Sequence, residues 1–320
     1  MSFDPKKYIK ISNLEEAEKA RSKLIKLIWK QKDIPDTQPS KSTNKSWQAT
    51  CLRNMNSLRE VNQFKFKMPH GVTSVFHLYT PKNNTKKGAV IYHHGHGSRE
   101  GDTGEHVINF FLSKGYHVVG LFMPLAWPNS KPDISGVQYG NDVEGHNLLQ
   151  NIETKDFCPL RFFIEPVSVC LNLLEKKYDF DFYHMVGLSG GGVTTMMCSA
   201  IDTRISHGYN VAGGIPIKLR TSSRDQGDYE QVHKKFYSIA SYLDLYILGS
   251  IGEGRKCVQV YNRFDACCFS SNPHKHWEKE VKEVVKKMDG YYNVYSDSSH
   301  RGHIISNWAL KKIIKEMEAS

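Results

Sequence analysis

One serine of this chain stands where a nucleophile can be made. Gly187-Leu188-Ser189-Gly190-Gly191-Gly192 places G-x-S-x-G between an apolar run, Phe182–Leu188, and a helical stretch, Val193–Ala200. A turn this sharp leaves no room for side chains two residues to either side. It holds the serine oxygen exposed at the strand tip and aims the next N–H at developing negative charge. Those are the requirements of acyl transfer through Ser189. Neither G-x-x-x-x-G-K-[ST] nor G-x-G-x-x-G fits here, so a phosphate loop is disfavoured.

A second cluster, His93-His94-Gly95-His96-Gly97, follows the run Ala89–Tyr92. Its glycines let the backbone approach a reacting carbonyl, so the N–H of His96 is the candidate partner of the Gly190 N–H in an oxyanion hole. A metal site on His94 and His96 is the competing reading. It finds no acidic or cysteine partner at ligand spacing, so no metal and no cofactor is expected.

A nucleophilic serine needs a base, and the base needs an orienting acid. Asp265 follows the strand candidate Cys257–Asn262 and is the preferred acid. Asp225 and Asp228 are reserves, and Asp297 reads as a turn or cap residue. Two histidines compete for the base. His303 follows Gly302 and stands three residues before the N-cap candidate Ser306, which favours it over His300. Cys267 and Cys268, beside the acid, read as two small buried residues, although a vicinal pair can also be redox-active or hold a soft metal. Cys198 reads as core. Trp127, Tyr139, Tyr229, Phe236 and Tyr242 are candidates for a substrate wall or for ordinary packing. Glu144 and His146 are candidates for the pocket mouth.

The elements that must carry these residues alternate. Strands are expected at Val61–Met68, Val72–Tyr79, Ala89–Tyr92, His117–Met123, Phe182–Leu188, Tyr209–Ile215, Cys257–Asn262 and Tyr291–Tyr295. Helices are expected at 107–114, 160–177 (started or kinked by Pro166), 193–200, 229–248 and 274–288, with a last one from about Ser306. Strands alternating with helices imply a mostly parallel sheet covered on both faces, here of eight strands, with an antiparallel pair added at the front. Two long connections, 124–159 and 218–255, are where pockets and lids are built. Residues 1–60 read as a helical arm with one helix at 13–31, introduced by the capping-box pattern Ser12-x-x-Glu15. Residues 61–320 read as the main domain.

Composition narrows the rest. At 39% hydrophobic residues, 320 residues can bury a core without disulfides or metal. Forty-three basic against 33 acidic residues give a net charge of +10, but the lysines are scattered, so a solvated basic surface is expected and not a nucleic-acid site. No run of 18 apolar residues suggests a membrane span, and MSFDPKKYIK lacks a signal core. Seven irregularly spaced cysteines fit reduced thiols, so a cytoplasmic location is expected.

HHGHG, GLSGGG, the aspartate after a strand and the terminal GHIIS together resemble the α/β-hydrolase superfamily. Within it the chain is similar to the dienelactone-hydrolase and acetyl-xylan-esterase-like branch, including a bacterial group that pairs GLSGGG with CCF. The resemblance covers about residues 60–320 and implies the α/β-hydrolase fold, the chain order Ser, Asp, His, and a small-molecule ester as substrate. One departure bears on the substrate. Acetyl xylan esterases usually carry Arg-Gly-Gln after the fourth strand, where this chain has Met123-Pro124-Leu125-Ala126-Trp127-Pro128-Asn129. A peptidase or thioesterase of the same fold, or a non-catalytic binding protein using the arm as its contact, are the alternatives to an esterase.

Overall fold

The structure is a computed structural model that describes residues 3–43, 45–97, 104–133 and 142–319, without the side chains of 45–47 and 142–144. Nine strands form one sheet: β1 (Ser40–Ser42), β2 (Leu58–Lys67), β3 (Thr73–Pro81), β4 (Gly88–His93), β5 (His117–Leu121), β6 (Phe182–Leu188), β7 (Ile205–Val211), β8 (Lys256–Asn262) and β9 (Tyr291–Asp297). Their order is β1-β2-β3-β5-β4-β6-β7-β8-β9. β1, β2 and β3 pair antiparallel and join β5 antiparallel, and every later pairing is parallel. The ninth strand, beyond the eight expected, comes from the N-terminal segment.

Alternation along the central strands explains the two layers. Ala89, Ile91, Val119, Leu121 and Met185 face one apolar cluster, while Val90, Tyr92, Val118, Val186 and Val258 face the other. Strands buried on both faces read as continuous apolar runs, the pattern that makes them visible in the sequence. Of the helices, α1 (Leu14–Trp29), α2 (Lys45–Asn54), α3 (Glu105–Ser113), α4 (Asp142–Leu148), α5 (Arg161–Lys177) and α6 (Gly190–Ile201) precede β7. α7 (Tyr229–Val232), α8 (Lys234–Ile239), α9 (Tyr242–Ser250), α10 (Glu278–Lys286) and α11 (Asn307–Glu318) follow it. Residues of α1, α5, α6, α9 and α10 pack on the first face; residues of α3 and α11 pack on the second. Among the described residues, no helix is long and apolar enough to cross a membrane.

The N-terminal segment is tied to this core by more than its apolar face. Ala17, Leu24 and Ile28 of α1 are buried in the first cluster. Arg21 donates to the carbonyls of Ala200 (3.1 Å) and Leu248 (2.9 Å), at the C-terminal ends of α6 and α9. Those carbonyls have no partner within their own helices, so a buried guanidinium satisfies them.

Several expected boundaries move, each for a local reason. The cap of α1 is Asn13, which accepts from the Glu16 N–H at 2.9 Å, while Glu16 reaches back to the Ser12 N–H at 2.8 Å. The N-cap is therefore one residue later than expected, and Glu16 holds the N–H before the cap instead of closing a capping box. α5 starts at Arg161, and Pro166 lies inside it, one turn in. The strand expected at 209–215 is β7, four residues earlier, ending at Val211. The single helix expected at 229–248 is three. His233 accepts from the Phe236 N–H to start α8, and Ser241 forms a capping box with Asp244 to start α9. Ser306 caps α11 as expected, accepting from the Ala309 N–H at 3.0 Å.

The turn from β6 into α6 is tight. Ser189 is held at φ 57° and ψ −121°, a left-handed backbone that costs a non-glycine residue energy. A Cβ on Gly187 would lie 2.0 Å from the Gly191 carbonyl oxygen, and one on Gly191 would lie 2.2 Å from that of His93. Both obstacles are backbone and cannot swing aside. Gly71 provides a contrast, since its φ is 73° but a Cβ there would meet nothing within 4 Å. Denaturant unfolding should therefore show Gly187→Ala and Gly191→Ala losing more than ~4 kcal/mol, and Gly71→Ala only about 1–2 kcal/mol. Similar losses at all three positions would contradict this account of the turn.

Candidate active site

Ser189, Asp265 and His303 all leave the same edge of the sheet, the C-terminal ends of its parallel strands. Ser189 follows β6, Asp265 comes three residues after β8, and His303 lies between β9 and α11. Register places Leu188 beside Val211, and Val211 beside Val260, so β7 alone separates the serine's strand from the acid's strand.

The histidine and the aspartate meet. His303 Nδ1 lies 2.8 Å from Asp265 Oδ2. A carboxylate only accepts, so Nδ1 is the donor, and in the neutral ring Nε2 is the nitrogen with the lone pair. His303 Nε2 is shielded from solvent and has no hydrogen-bond partner among the described residues. No hydrogen bond joins it to Ser189 Oγ, and in catalytic pairs that bond often forms only once substrate binds. The other Asp265 oxygen accepts the Cys267 N–H at 2.8 Å, and Asn262 Nδ2 donates to Oδ2 at 3.2 Å. Burial would raise the Asp265 carboxyl, but the His303 hydrogen bond and charge outweigh it and hold it below its ordinary value.

The other candidates go elsewhere. His300 Nε2 lies 3.2 Å from Asp297 Oδ2, but neither ring nitrogen of His300 makes a hydrogen bond among the described residues. Asp297 acts as the expected turn and cap residue, accepting from Ser299 N–H (2.8 Å), Ser299 Oγ (2.6 Å) and Ser306 Oγ. Asp225 accepts the Phe269 N–H at 2.6 Å. Asp228 turns toward two histidines described below. Cys267 is exposed and Cys268 half-buried, which corrects the expectation of two buried residues. Their sulfurs are 3.0 Å apart, and Cys268 Sγ is 4.0 Å from His303 Nδ1.

The His-Gly loop lies against the serine. A Cβ on Gly95 would be 2.9 Å from the Leu188 carbonyl and 3.0 Å from Ser189 Cβ, so only glycine fits there. Among the described residues, the N–H groups of His96 and Gly190 take part in no backbone hydrogen bond outside regular elements. The ring of His96 packs over Gly190, 2.6 Å from where a Cβ would stand.

That ring brings together residues the sequence kept apart. His96 Nε2 lies 3.0 Å from His146 Nδ1, 2.9 Å from Asp228 Oδ2 and 3.6 Å from Glu230 Oε1. His146 Nδ1 is 3.4 Å from oxygens of both Asp228 and Glu230. The expectation that no acidic group accompanies the HHGHG histidines is thus corrected. The acids arrive from 132 and 134 positions along the chain, a separation at which spacing carries no signal. His94 is not in the cluster; its ring stacks on Phe122. Burial opposes charge on His146, yet Glu230 and Asp228 push it up to about 10. His146 is fully buried and so is not at a pocket mouth. Tyr139 and the Glu144 side chain lie outside the described residues. Tyr229, Phe236 and Tyr242 are core residues rather than an open wall, and Trp127 packs against Phe122 and His77.

No family model matches the sequence, and no curated protein matches it. Solved structures do match the fold. An acetyl xylan esterase from Paenibacillus sp. R4 aligns with a TM-score of 0.62 at 14% identity, covering 98% of this chain and 97% of that one. Acetyl xylan esterase 1 from Thermoanaerobacterium sp. JW/SL YS485 aligns at 0.60 and 15% identity, covering 99% and 98%. An esterase of Pyrococcus furiosus aligns at 0.55 and 12%, covering 89% and 98%. At such identities the likeness speaks of architecture, and with the topology above it shows that this chain has the α/β-hydrolase fold, in the form seen in acetyl xylan esterases.

Proposed function

We propose that the protein is a serine hydrolase that cleaves a small carboxylic ester through an acyl-enzyme on Ser189. The observation that carries this reading is the His303–Asp265 pair, with Nε2 unpartnered among the described residues, on the sheet edge that holds Ser189 in a strained turn. In the proposed reaction Ser189 Oγ bonds to the ester carbonyl carbon while His303 Nε2 takes its proton. Asp265 keeps the imidazole oriented and stabilises its positive charge. The N–H groups of Gly190 and His96 receive the carbonyl oxygen as it becomes an oxyanion. The intermediate collapses, the C–O bond breaks, and His303 protonates the leaving alcohol. Water then repeats the sequence on the acyl-enzyme and releases the acid.

Acetylated sugars are the first substrates to try, because acetyl xylan esterases share the fold. The missing Arg-Gly-Gln stretch keeps aryl and short alkyl esters equally in view. All seven cysteines are free, which goes with a reducing compartment such as the cytoplasm.

Steady-state hydrolysis of p-nitrophenyl acetate tests the roles. Ser189→Ala should lower kcat by at least ~10⁴-fold. Asp265→Asn should cost about 10⁴-fold, because the wrong imidazole tautomer is then favoured. His303→Ala should match the serine variant, while His300→Ala stays near wild type. A wild-type enzyme inert toward every ester tried, or a large loss at His300 with none at His303, would overturn the assignment.

A comparison of residual rates tests the acid separately. Asp225→Asn should leave kcat near wild type, since Asp225 is engaged by the Phe269 N–H and not by an imidazole. A loss there as deep as at Asp265 would move the acid's role to Asp225.

A further inference from the structure

The cluster beneath the His-Gly loop has the make-up of a metal site. Two imidazole nitrogens and two carboxylates converge so closely that the ligand atoms of His96, His146, Asp228 and Glu230 all lie within 4.8 Å of one another. Five separations among them, each involving an imidazole nitrogen, run from 2.9 to 3.6 Å. Four ligands arranged tetrahedrally at ~2.0–2.1 Å from a zinc ion stand ~3.3 Å apart.

Three further observations point to an ion. First, Glu230 is fully buried, yet neither of its carboxylate oxygens accepts a hydrogen bond among the described residues, and nor does Asp228 Oδ2. The 2.9 Å contact from His96 to Asp228 is short enough for a hydrogen bond but not aligned for one. Buried carboxylate oxygens that accept no aligned hydrogen bond are costly, and a cation among them removes that cost. Second, His146 Nε2 donates to the Pro124 carbonyl at 2.9 Å. That bond leaves Nδ1 turned to the cluster, in the manner of metal-bound histidines whose second nitrogen is held by a backbone carbonyl. Third, two carboxylates neutralise a dication in a site where only His96 has more than slight exposure.

From this arrangement we propose that His96, His146, Asp228 and Glu230 form a divalent-cation site, with zinc as the best fit. Two nitrogen and two oxygen ligands suit zinc better than calcium or magnesium, which favour all-oxygen shells. Four protein ligands close the shell, so the ion's role is structural. It joins the loop after β4 to α4 and to α7. If the Ser189 reading holds, it also fixes the backbone whose N–H faces the oxyanion. The site itself does not depend on that reading.

The test uses the full chain, stripped with dipicolinate, dialysed against zinc chloride and then against buffer, and assayed for metal by mass spectrometry. Wild type and Ser189→Ala should each retain one zinc per chain, and zinc should raise the melting temperature of both. Glu230→Gln and His96→Asn should retain less than about a tenth of that and show no zinc-dependent rise, with wild-type circular dichroism. His96 sits on a loop, so its variant reads the site even if the Glu230 variant fails to fold. A wild type that retains no zinc overturns the proposal, as does a folded His96→Asn that retains as much as wild type. Zinc retained by an inactive wild type would leave the site standing and count against the hydrolase reading alone.

Discussion

The sheet edge that carries Ser189, Asp265 and His303 depends on one strained residue. Ser189 occupies a backbone conformation that a side chain makes costly, with φ 57° and ψ −121°. Such strain persists only when the surroundings over-determine it. Here they do. The Ser189 N–H is held by the Val211 carbonyl at 2.8 Å, and its own carbonyl receives the Val193 N–H at 3.0 Å. Gly187 and Gly191 permit the backbone to fold on itself, and Gly95 lets the next loop close over it. The strain is balanced by the packing of α6 between β6, β7 and α9. The energy of the core is what holds the serine at the strand tip.

The same constraint organises the other two groups. A parallel sheet delivers the C-terminal ends of its strands to one edge, so residues far apart in sequence become neighbours there. Asp265 and His303 are 38 positions apart yet share a 2.8 Å hydrogen bond. The loop between β9 and α11 is shaped by Asp297, which gathers Ser299 and Ser306. That arrangement places His303, and not His300, on Asp265. The two histidines differ in their acid neighbours, and of the two only His303 shares a hydrogen bond with its acid.

Much of this was legible in the sequence, and what was not has physical causes. Ser189 was visible because the crowding of the turn writes itself as glycines at fixed offsets. β4 and β6 were visible because burial on both faces yields unbroken apolar runs. β7 was misplaced because Ser206, His207 and Gly208 look like breakers. Gly208 is there for packing, since a Cβ would stand 2.4 Å from Ser199 Oγ of α6. The segment 229–248 looked like one helix because its apolar content is high throughout. The Ser241-x-x-Asp244 capping box, which was readable, divides it. The cluster of His96, His146, Asp228 and Glu230 could not be read at all. Its members come from three separate segments, and only the folded chain brings their ligand atoms together.

The central claim is that Ser189 is a nucleophile activated by His303 and Asp265. Labelling of the folded protein with a fluorophosphonate, followed by mass spectrometry of its peptides, tests this most directly. A single covalent adduct on Ser189, lost in His303→Ala, is the expected result. A folded wild type that takes up no label, or label carried on a different serine, would contradict it.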